Sequence, residues 1–306
     1  MEDPKIYIIG AGAIGKALAV FLKQEKKNAV LVRGSVDNLP ESEDIVSVRN
    51  HNDQVFTQRV ATTTFSNLKE MNGIVLVTTK TFANTKIAKK LQDFDGDLSI
   101  VLLQNGLNIE KPFEALKNVF RCVLFTTSQI MDNGEVRFKA VSASPVGSLN
   151  VKKEKLGKIV SHINTRHFTF REESNIEHYI WTKAILNCAF NSICPLLEVD
   201  NGIFYRDQGI AAIAKTVIKE CVGLAEKIGV RIDEDDVVKN LLLISERSDG
   251  QLISTYDDIR KKRRTEIESL NLEMARLAES IGEPGLVPYT KAFGSMIYAK
   301  SQLYLN

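Results

Sequence analysis

Short, uninterrupted apolar runs mark the first third of the chain. Lys5–Ile9 reads Lys-Ile-Tyr-Ile-Ile, and Asn28–Val32, Ile74–Val77 and Ser99–Leu103 repeat the form. Runs of this length, bounded by loop-like residues, predict short buried strands. Between the first two, residues 12–26 carry Ile14, Leu18, Phe21 and Leu22 at the spacing of a helix face. Strands separated by helical stretches predict βαβ units and a parallel sheet. Val123–Thr127, Gly134–Val141 and His167–Phe170 are further strand-like pieces, assigned to the far edge of that sheet.

The pattern changes after about residue 173. Residues 176–193, 205–228, 233–247, 254–281 and 287–304 all carry apolar positions three to four apart, as in Leu224, Ala225, Ile228 and Leu270, Met274, Leu277. The expected architecture is α/β: an N-terminal doubly wound Rossmann-type sheet over residues 1–172, then an all-α domain over 173–306. No internal repeat or low-complexity segment interrupts it.

Composition narrows the class. The chain has 306 residues, 44% hydrophobic and 25% charged, with a formal net charge of +2. That balance suits a globular protein and gives no reason to expect a nucleic-acid or membrane partner. Cys122, Cys188, Cys194 and Cys221 form no C-x-x-C pair, and the four histidines do not cluster with them, so neither a metal site nor a disulfide framework is expected. The opening Met1-Glu2-Asp3 has the wrong charge for a secretory signal, and no run of about 18 apolar residues exists. A reduced, cytoplasmic setting is the expectation.

The first strand leads into Gly10-Ala11-Gly12-Ala13-Ile14-Gly15. A G-x-G-x-x-G turn between strand and helix is the context of dinucleotide binding. Gly10 permits the tight turn, Gly12 lets the backbone approach a pyrophosphate, and Gly15 lets helix pack on strand. The pyrophosphate would then meet the free N–H groups and positive dipole end of the helix, at Ala13 and Ile14. The next strand ends at Arg33, where NAD-binding sequences place an acid for the ribose 2′-hydroxyl. Arginine cannot accept that proton, but it pairs with a 2′-phosphate, which argues for NADP(H) over a merely solvent-facing arginine.

In the helical half, Lys183, Asn187 and Asn191 lie four apart on an otherwise apolar helix. Spacing alone admits a surface stripe as readily as a ligand-facing one. A lysine in a partly dry setting has its pKa lowered toward the range where it gives up a proton. Further on, Ser254 reads as a helix N-cap with Asp257 three residues later. The run Lys261-Lys262-Arg263-Arg264 reads as a solvated helix face, and spacing gives Glu266 no special standing.

Taken in order, these pieces resemble ketopantoate reductase (2-dehydropantoate 2-reductase) over nearly the whole chain. The matching set is the glycine turn, Val77-Thr78-Thr79-Lys80, Gln104-Asn105-Gly106, Lys183–Asn187–Asn191, and Ser254 through Thr265-Glu266-Ile267. The resemblance implies roles that spacing does not. Lys183 would protonate the ketone oxygen, and Glu266 would support that lysine and the substrate. Asn187, Asn191 and Ser254 would hold the hydroxyl and carboxylate ends. Asn105 would lie by the nicotinamide, and Lys80 near the cofactor.

The implied activity is NADPH-dependent reduction of ketopantoate to pantoate, a step toward pantothenate and coenzyme A. The rivals are a reductase of another 2-keto or 3-hydroxy acid, and a non-catalytic NADP(H) sensor; retention of the full polar set speaks against the latter. The chain departs from the family pattern at Glu268, where Asp is usual, at Leu272, where a small residue is usual, and at Tyr289, where Asn often follows the proline. These departures bear on pocket shape rather than on hydride chemistry. The long C-terminal helices offer a surface on which a homodimer could form.

Overall fold

The structure, a computed structural model, describes residues 3–148 and 153–305; the opening Met1-Glu2 lies outside the described residues. Its sheet is built from strands whose side chains are apolar on both faces. β1 (Ile6–Ile9) sends Ile6 and Ile8 into one core and Tyr7 and Ile9 into the other. β2 (Ala29–Arg33) divides in the same way, with Ala29 and Leu31 facing one side and Val30 and Val32 the other. Each face is covered by helices, so the strands read as continuous apolar runs rather than alternating ones.

α1 (Ala13–Gln24) joins these two strands. A hairpin follows, β3 (Ser42–Arg49) and β4 (Val55–Thr64), paired antiparallel from Ser42–Thr62 to Arg49–Val55. Next come β5 (Gly73–Val77), α2 (Asn84–Gln92), β6 (Leu98–Leu102) and β7 (Val119–Cys122). The remainder of this half is β8 (Thr126–Ile130), β9 (Val136–Ala140), β10 (Ser144–Gly147), α3 (Lys153–Ile163) and β11 (Phe170–Glu172). The strand expected over Val123–Thr127 falls instead across the gap between β7 and β8.

All the described strands form one 11-stranded sheet, β11-β10-β7-β6-β5-β1-β2-β4-β3-β9-β8. The run from β7 to β4 is parallel throughout. Numbered by first appearance among themselves, these parallel strands stand 3-2-1-4-5-6. That is the doubly wound dinucleotide-binding order, with its switch point between β1 and β5. α1 and α3 cover one face through Leu18, Phe21, Leu22, Ile159 and Ile163. α2 covers the other through Ile87, Ala88 and Leu91.

The rest is helical: α4 (Ile176–Leu197), α5 (Ile203–Arg206), α6 (Gln208–Lys227), α7 (Glu234–Arg247), α8 (Ser254–Arg260), α9 (Asn271–Ser280) and α10 (Pro288–Leu305). The helix expected over 254–281 is therefore interrupted. Lys262 adopts a left-handed φ of 52°, and residues 261–266 run as turn and loop before a 3-10 turn at Ile267–Ser269. Asp257 and Asp258 hold Arg263 at 2.8 and 2.9 Å, which fastens the chain where it leaves the helix. The basic run is thus not a helix face, and its charges are largely answered within the chain, including Arg264 by Glu268.

By compactness the chain divides into Met1–Gln104 with Ile109–Ile176, and Asn105–Asn108 with Glu177–Asn306. The second unit thus takes in a four-residue segment that lies in sequence between β6 and β7. No helix among the described residues is long and apolar enough to cross a membrane, and no group of three or more His, Cys, Asp or Glu there could hold a metal ion.

Candidate active site

The first unit gathers its candidate residues at the C-terminal ends of β1, β2 and β5. Gly10 has φ 121°, and its N–H donates to Val32 O at 2.9 Å. A Cβ there would stand 2.7 Å from Thr78 Oγ1 and 2.9 Å from the Thr79 nitrogen. A Cβ on Gly15 would run into the Gly10 carbonyl oxygen, so the helix approaches the turn as closely as glycine allows. Gly12 differs from both: a Cβ on it would meet nothing within 4 Å. It is the N-cap of α1, with no side-chain cap and no acid in the first turn. The backbone donors at Ala13 and Ile14 thus begin a helix with no acid in its own first turn, and the space over Gly12 is of the kind a pyrophosphate could enter.

Thr78 braces this turn, donating through Oγ1 toward Ile9 O and Gly10 O at 3.1 and 3.0 Å. Lys80 follows it, half-buried and in extended backbone. Gln104 donates to Thr79 O at 2.8 Å, and Asn84 returns a hydrogen bond to Gln104 at 3.1 Å. This buried amide pair fixes the end of β6 just ahead of Asn105. Arg33, at the end of β2, is 26% exposed and turned toward Ser42 and Asp44.

The second unit assembles around α4. From Ile180 to Pro195 every residue is buried except Thr182, Lys183 and Asn187, which are partly open. The stripe is therefore not the exposed edge of a half-buried helix but a narrow polar opening in a buried one. Asn191, at 2% exposure, closes the lower end. Its amide donates to Asn187 O at 3.0 Å, and its carbonyl oxygen accepts from Thr255 Oγ1 at 2.7 Å.

That second bond fastens α8 to α4, with exposed Ser254 beside it. Ser254 is the first helical residue, not the cap; the cap is Ile253, in extended backbone with no side-chain bond. Asn271, fully buried, donates to Cys188 O at 3.1 Å and ties α9 to the same stretch of α4. Glu266 precedes the 3-10 turn rather than lying on a helix face. Ser269 donates through N and Oγ to Glu266 O at 3.0 and 2.9 Å.

Ser269 also receives the segment that carries Asn105. Leu107 N donates to Ser269 O at 3.1 Å, and a Cβ on Gly106 (φ 112°) would stand 2.6 Å from the same oxygen. Half-buried Asn105 is thereby set on the turn that follows Glu266. The structure brings Asn105, Glu266, Ser254 and the α4 stripe into one unit. It assigns the glycine turn, Arg33 and Lys80 to the other.

The sequence assigned no positioning role to Thr255, Ser269, Thr78 or the Asn84–Gln104 pair, although Thr78 and Gln104 stand within the matched motifs. Thr78 and Gln104 each also carry a local signal, as polar residues just after a buried apolar run. Of the departures, Leu272 on α9 lies near Gly294 of α10, where a Cβ would stand 3.2 Å from its Cδ2; the tighter neighbour of that glycine is Asn271, whose Cβ would be 2.5 Å away. Tyr289 is 55% exposed.

Family models match both halves. One described as ketopantoate reductase PanE/ApbA covers residues 6–150, and its C-terminal counterpart covers 175–301. The chain belongs to the ketopantoate reductase family. The 2-dehydropantoate 2-reductase of Archaeoglobus fulgidus is 26% identical over 290 residues, 92% of this chain and 93% of that one. That of Streptococcus pyogenes serotype M6 is 23% identical over 310 residues, 96% of this chain and 97% of its own.

Solved structures share the fold. The 2-dehydropantoate 2-reductase of Geobacter metallireducens gives a TM-score of 0.85 at 20% identity, over 97% of this chain and 99% of that one. A D-mandelate dehydrogenase, solved with NADH and anilino(oxo)acetate, gives 0.84 at 20%, over 98% and 99%. Ketopantoate reductase relatives are oxidoreductases, and this fold thus also serves a hydroxy-acid dehydrogenase.

Proposed function

We propose that this chain is an NADP(H)-dependent reductase of a 2-keto acid, with 2-dehydropantoate as the substrate and pantoate as the product. The observation that supports it most is the polar opening on α4. A lysine and an asparagine, with Thr182, remain partly open on a stretch of helix that is otherwise buried, and Ser254 adjoins Thr255, which bonds Asn191 on the same stripe.

Gly10, Gly12, Gly15 and the N–H groups at Ala13 and Ile14 would hold the pyrophosphate, with Arg33 and Lys80 toward the phosphates. When bound, the nicotinamide supplies hydride to the ketone carbon. As negative charge develops on the ketone oxygen, the Lys183 ammonium stabilises it and gives up a proton from Nζ. Glu266 orients that ammonium and the substrate hydroxyl. Asn187 and Ser254 hold the carboxylate and hydroxyl ends, and Asn105 borders the nicotinamide. Asn191 acts at one remove, since both ends of its carboxamide are engaged by the protein.

The test is NADPH oxidation with 2-dehydropantoate, run beside a panel of other 2-keto acids and repeated with Lys183→Ala. Turnover should fall by about a hundredfold or more in the variant, the scale of a lost general acid. Near-normal turnover would remove Lys183 from the chemistry. A marked preference for an aryl 2-keto acid would move the substrate toward that of the mandelate dehydrogenase. The ketopantoate reductase of Staphylococcus aureus is described as dimeric, and we place this chain in a homodimer too. Exposed Met296, Leu303 and Tyr304 on α10 offer apolar surface for it.

A further inference from the structure

Arg33 does not stand alone at the end of β2. Its guanidinium reaches across β4 to the start of β3, where Nη2 lies 3.3 Å from Ser42 Oγ and 3.4 Å from an oxygen of Asp44. The span follows from register, because Leu31 on β2 and Ser42 on β3 flank the same Thr62 of β4. The other Asp44 oxygen accepts from the Ser42 hydroxyl at 3.0 Å. Burial raises the Asp44 carboxyl, but hydrogen bonds from Thr62 and Ser42, together with Arg33, outweigh it and hold the group below the usual carboxylate range. A full negative charge therefore sits against Arg33 at neutral pH. The contact is long and the aspartate is 44% exposed, so it is a pair that a stronger anion can open.

We propose that Asp44 is a specificity-determining residue that narrows the preference of this chain for the phosphorylated cofactor over the unphosphorylated one. The proposal rests on the reading of Arg33 as the 2′-phosphate ligand. A 2′-phosphate bears between one and two negative charges near neutral pH. To reach Arg33 it must displace Asp44 and then remain beside it as a like charge. The unphosphorylated cofactor brings only a neutral hydroxyl, which meets neither obstacle. Asp44 therefore acts against NADPH without acting against NADH, and discrimination is set by the difference of the two affinities.

Dissociation constants for NADPH and NADH, measured by calorimetry without keto acid, test this in the native chain, Asp44→Asn, Arg33→Ala and the double variant. Asp44→Asn keeps the shape and removes the charge. It should tighten NADPH by about three- to tenfold, the scale of one partly screened like-charge contact, and leave NADH within about twofold. Arg33→Ala should weaken NADPH by about tenfold or more with little effect on NADH. On that background Asp44→Asn should have a smaller effect on NADPH, because the two side chains are coupled.

If Asp44→Asn leaves NADPH unchanged or weaker while Arg33→Ala still loses it selectively, the role of Asp44 is overturned and that of Arg33 stands. If Arg33→Ala leaves NADPH binding as it was, the reading of Arg33 falls and the proposal falls with it. A selective loss of NADH in Asp44→Asn would also overturn it, by making the carboxylate an acceptor for the ribose hydroxyl. Matching thermal midpoints for all four proteins exclude unfolding as the source of any change.

Discussion

Asn187 and Asn191 share one stripe of α4, yet their surroundings separate them. Asn187 is partly open, whereas Asn191 is buried and joins its own helix to α8 through Thr255. Asn191→Ala should leave the buried Thr255 hydroxyl without its acceptor and cost about 1–3 kcal/mol in urea denaturation. Asn187→Ala should leave the denaturation midpoint nearly unmoved and lower kcat/KM for the keto acid. The four-residue spacing was legible in the sequence. The division of labour was not, because the hydroxyl that engages Asn191 lies 64 residues further along the chain. Gly294 follows the same rule, since its missing side chain has meaning only beside Asn271 on another helix, whose Cβ would stand 2.5 Å from one built there.

Among elements, the strand–turn–helix at the N-terminus offers a clean separation of fold from binding. Gly15→Ala would force its new methyl into the Gly10 carbonyl and should destabilise the unit. Gly12→Ala meets only open space, so its thermal midpoint should stay close to native while NADPH affinity falls by about tenfold or more if the methyl enters the space proposed for the pyrophosphate. A second element test concerns α10. Glu220 on α6 accepts from Tyr289 N, Thr290 N and Thr290 Oγ1 at 2.9, 2.8 and 2.7 Å, which caps that helix. Glu220→Ala should cost about 0.5–2 kcal/mol, read from the unfolding midpoint.

The central strands could be read because both their faces are covered, which makes them continuously apolar. The β3–β4 hairpin was missed because its outer positions face solvent: Glu43, Ile45 and Val55 are exposed, and polar residues break the run. The interruption after α8 was hidden for a different reason. Lys-Lys-Arg-Arg-Thr-Glu is compatible with a helix by local preference, and only the grip of Asp257 and Asp258 on Arg263 shows where the helix stops.

At the scale of the whole molecule, acid should loosen the fold in two stages. His167 lies 4.5 Å from Phe56 and 5.3 Å from Phe21 between ring centroids, and burial lowers its pKa below 6.5. The unfolded chain protonates first, so this contribution is present above pH 6.5 and is lost as pH falls toward the lower folded value. Asp37, hydrogen-bonded by Lys90, and Glu173, hydrogen-bonded by Arg171, have folded pKa values below their ordinary 3.8 and 4.5. Their contributions are present above those values and lost as pH falls below them. Unfolding midpoints followed from pH 8 to 3 should hold steady, decline gently below about 6.5, and drop more steeply below about 4.5. His167→Phe should remove the first decline and leave the second.

The segment Asn105–Asn108 carries a consequence for how the chain is made. It leaves the sheet between β6 and β7 to count with the helices, so the polypeptide passes from one unit to the other three times rather than once. As the chain emerges from the ribosome, the sheet can close around these residues while their eventual neighbours do not yet exist. Asn108 must wait for Glu273, 165 residues later, before its 2.7 Å bond can form. The loop bearing Asn105 thus takes its final contacts only after the helical half has been made, later than the strands on either side of it can pair.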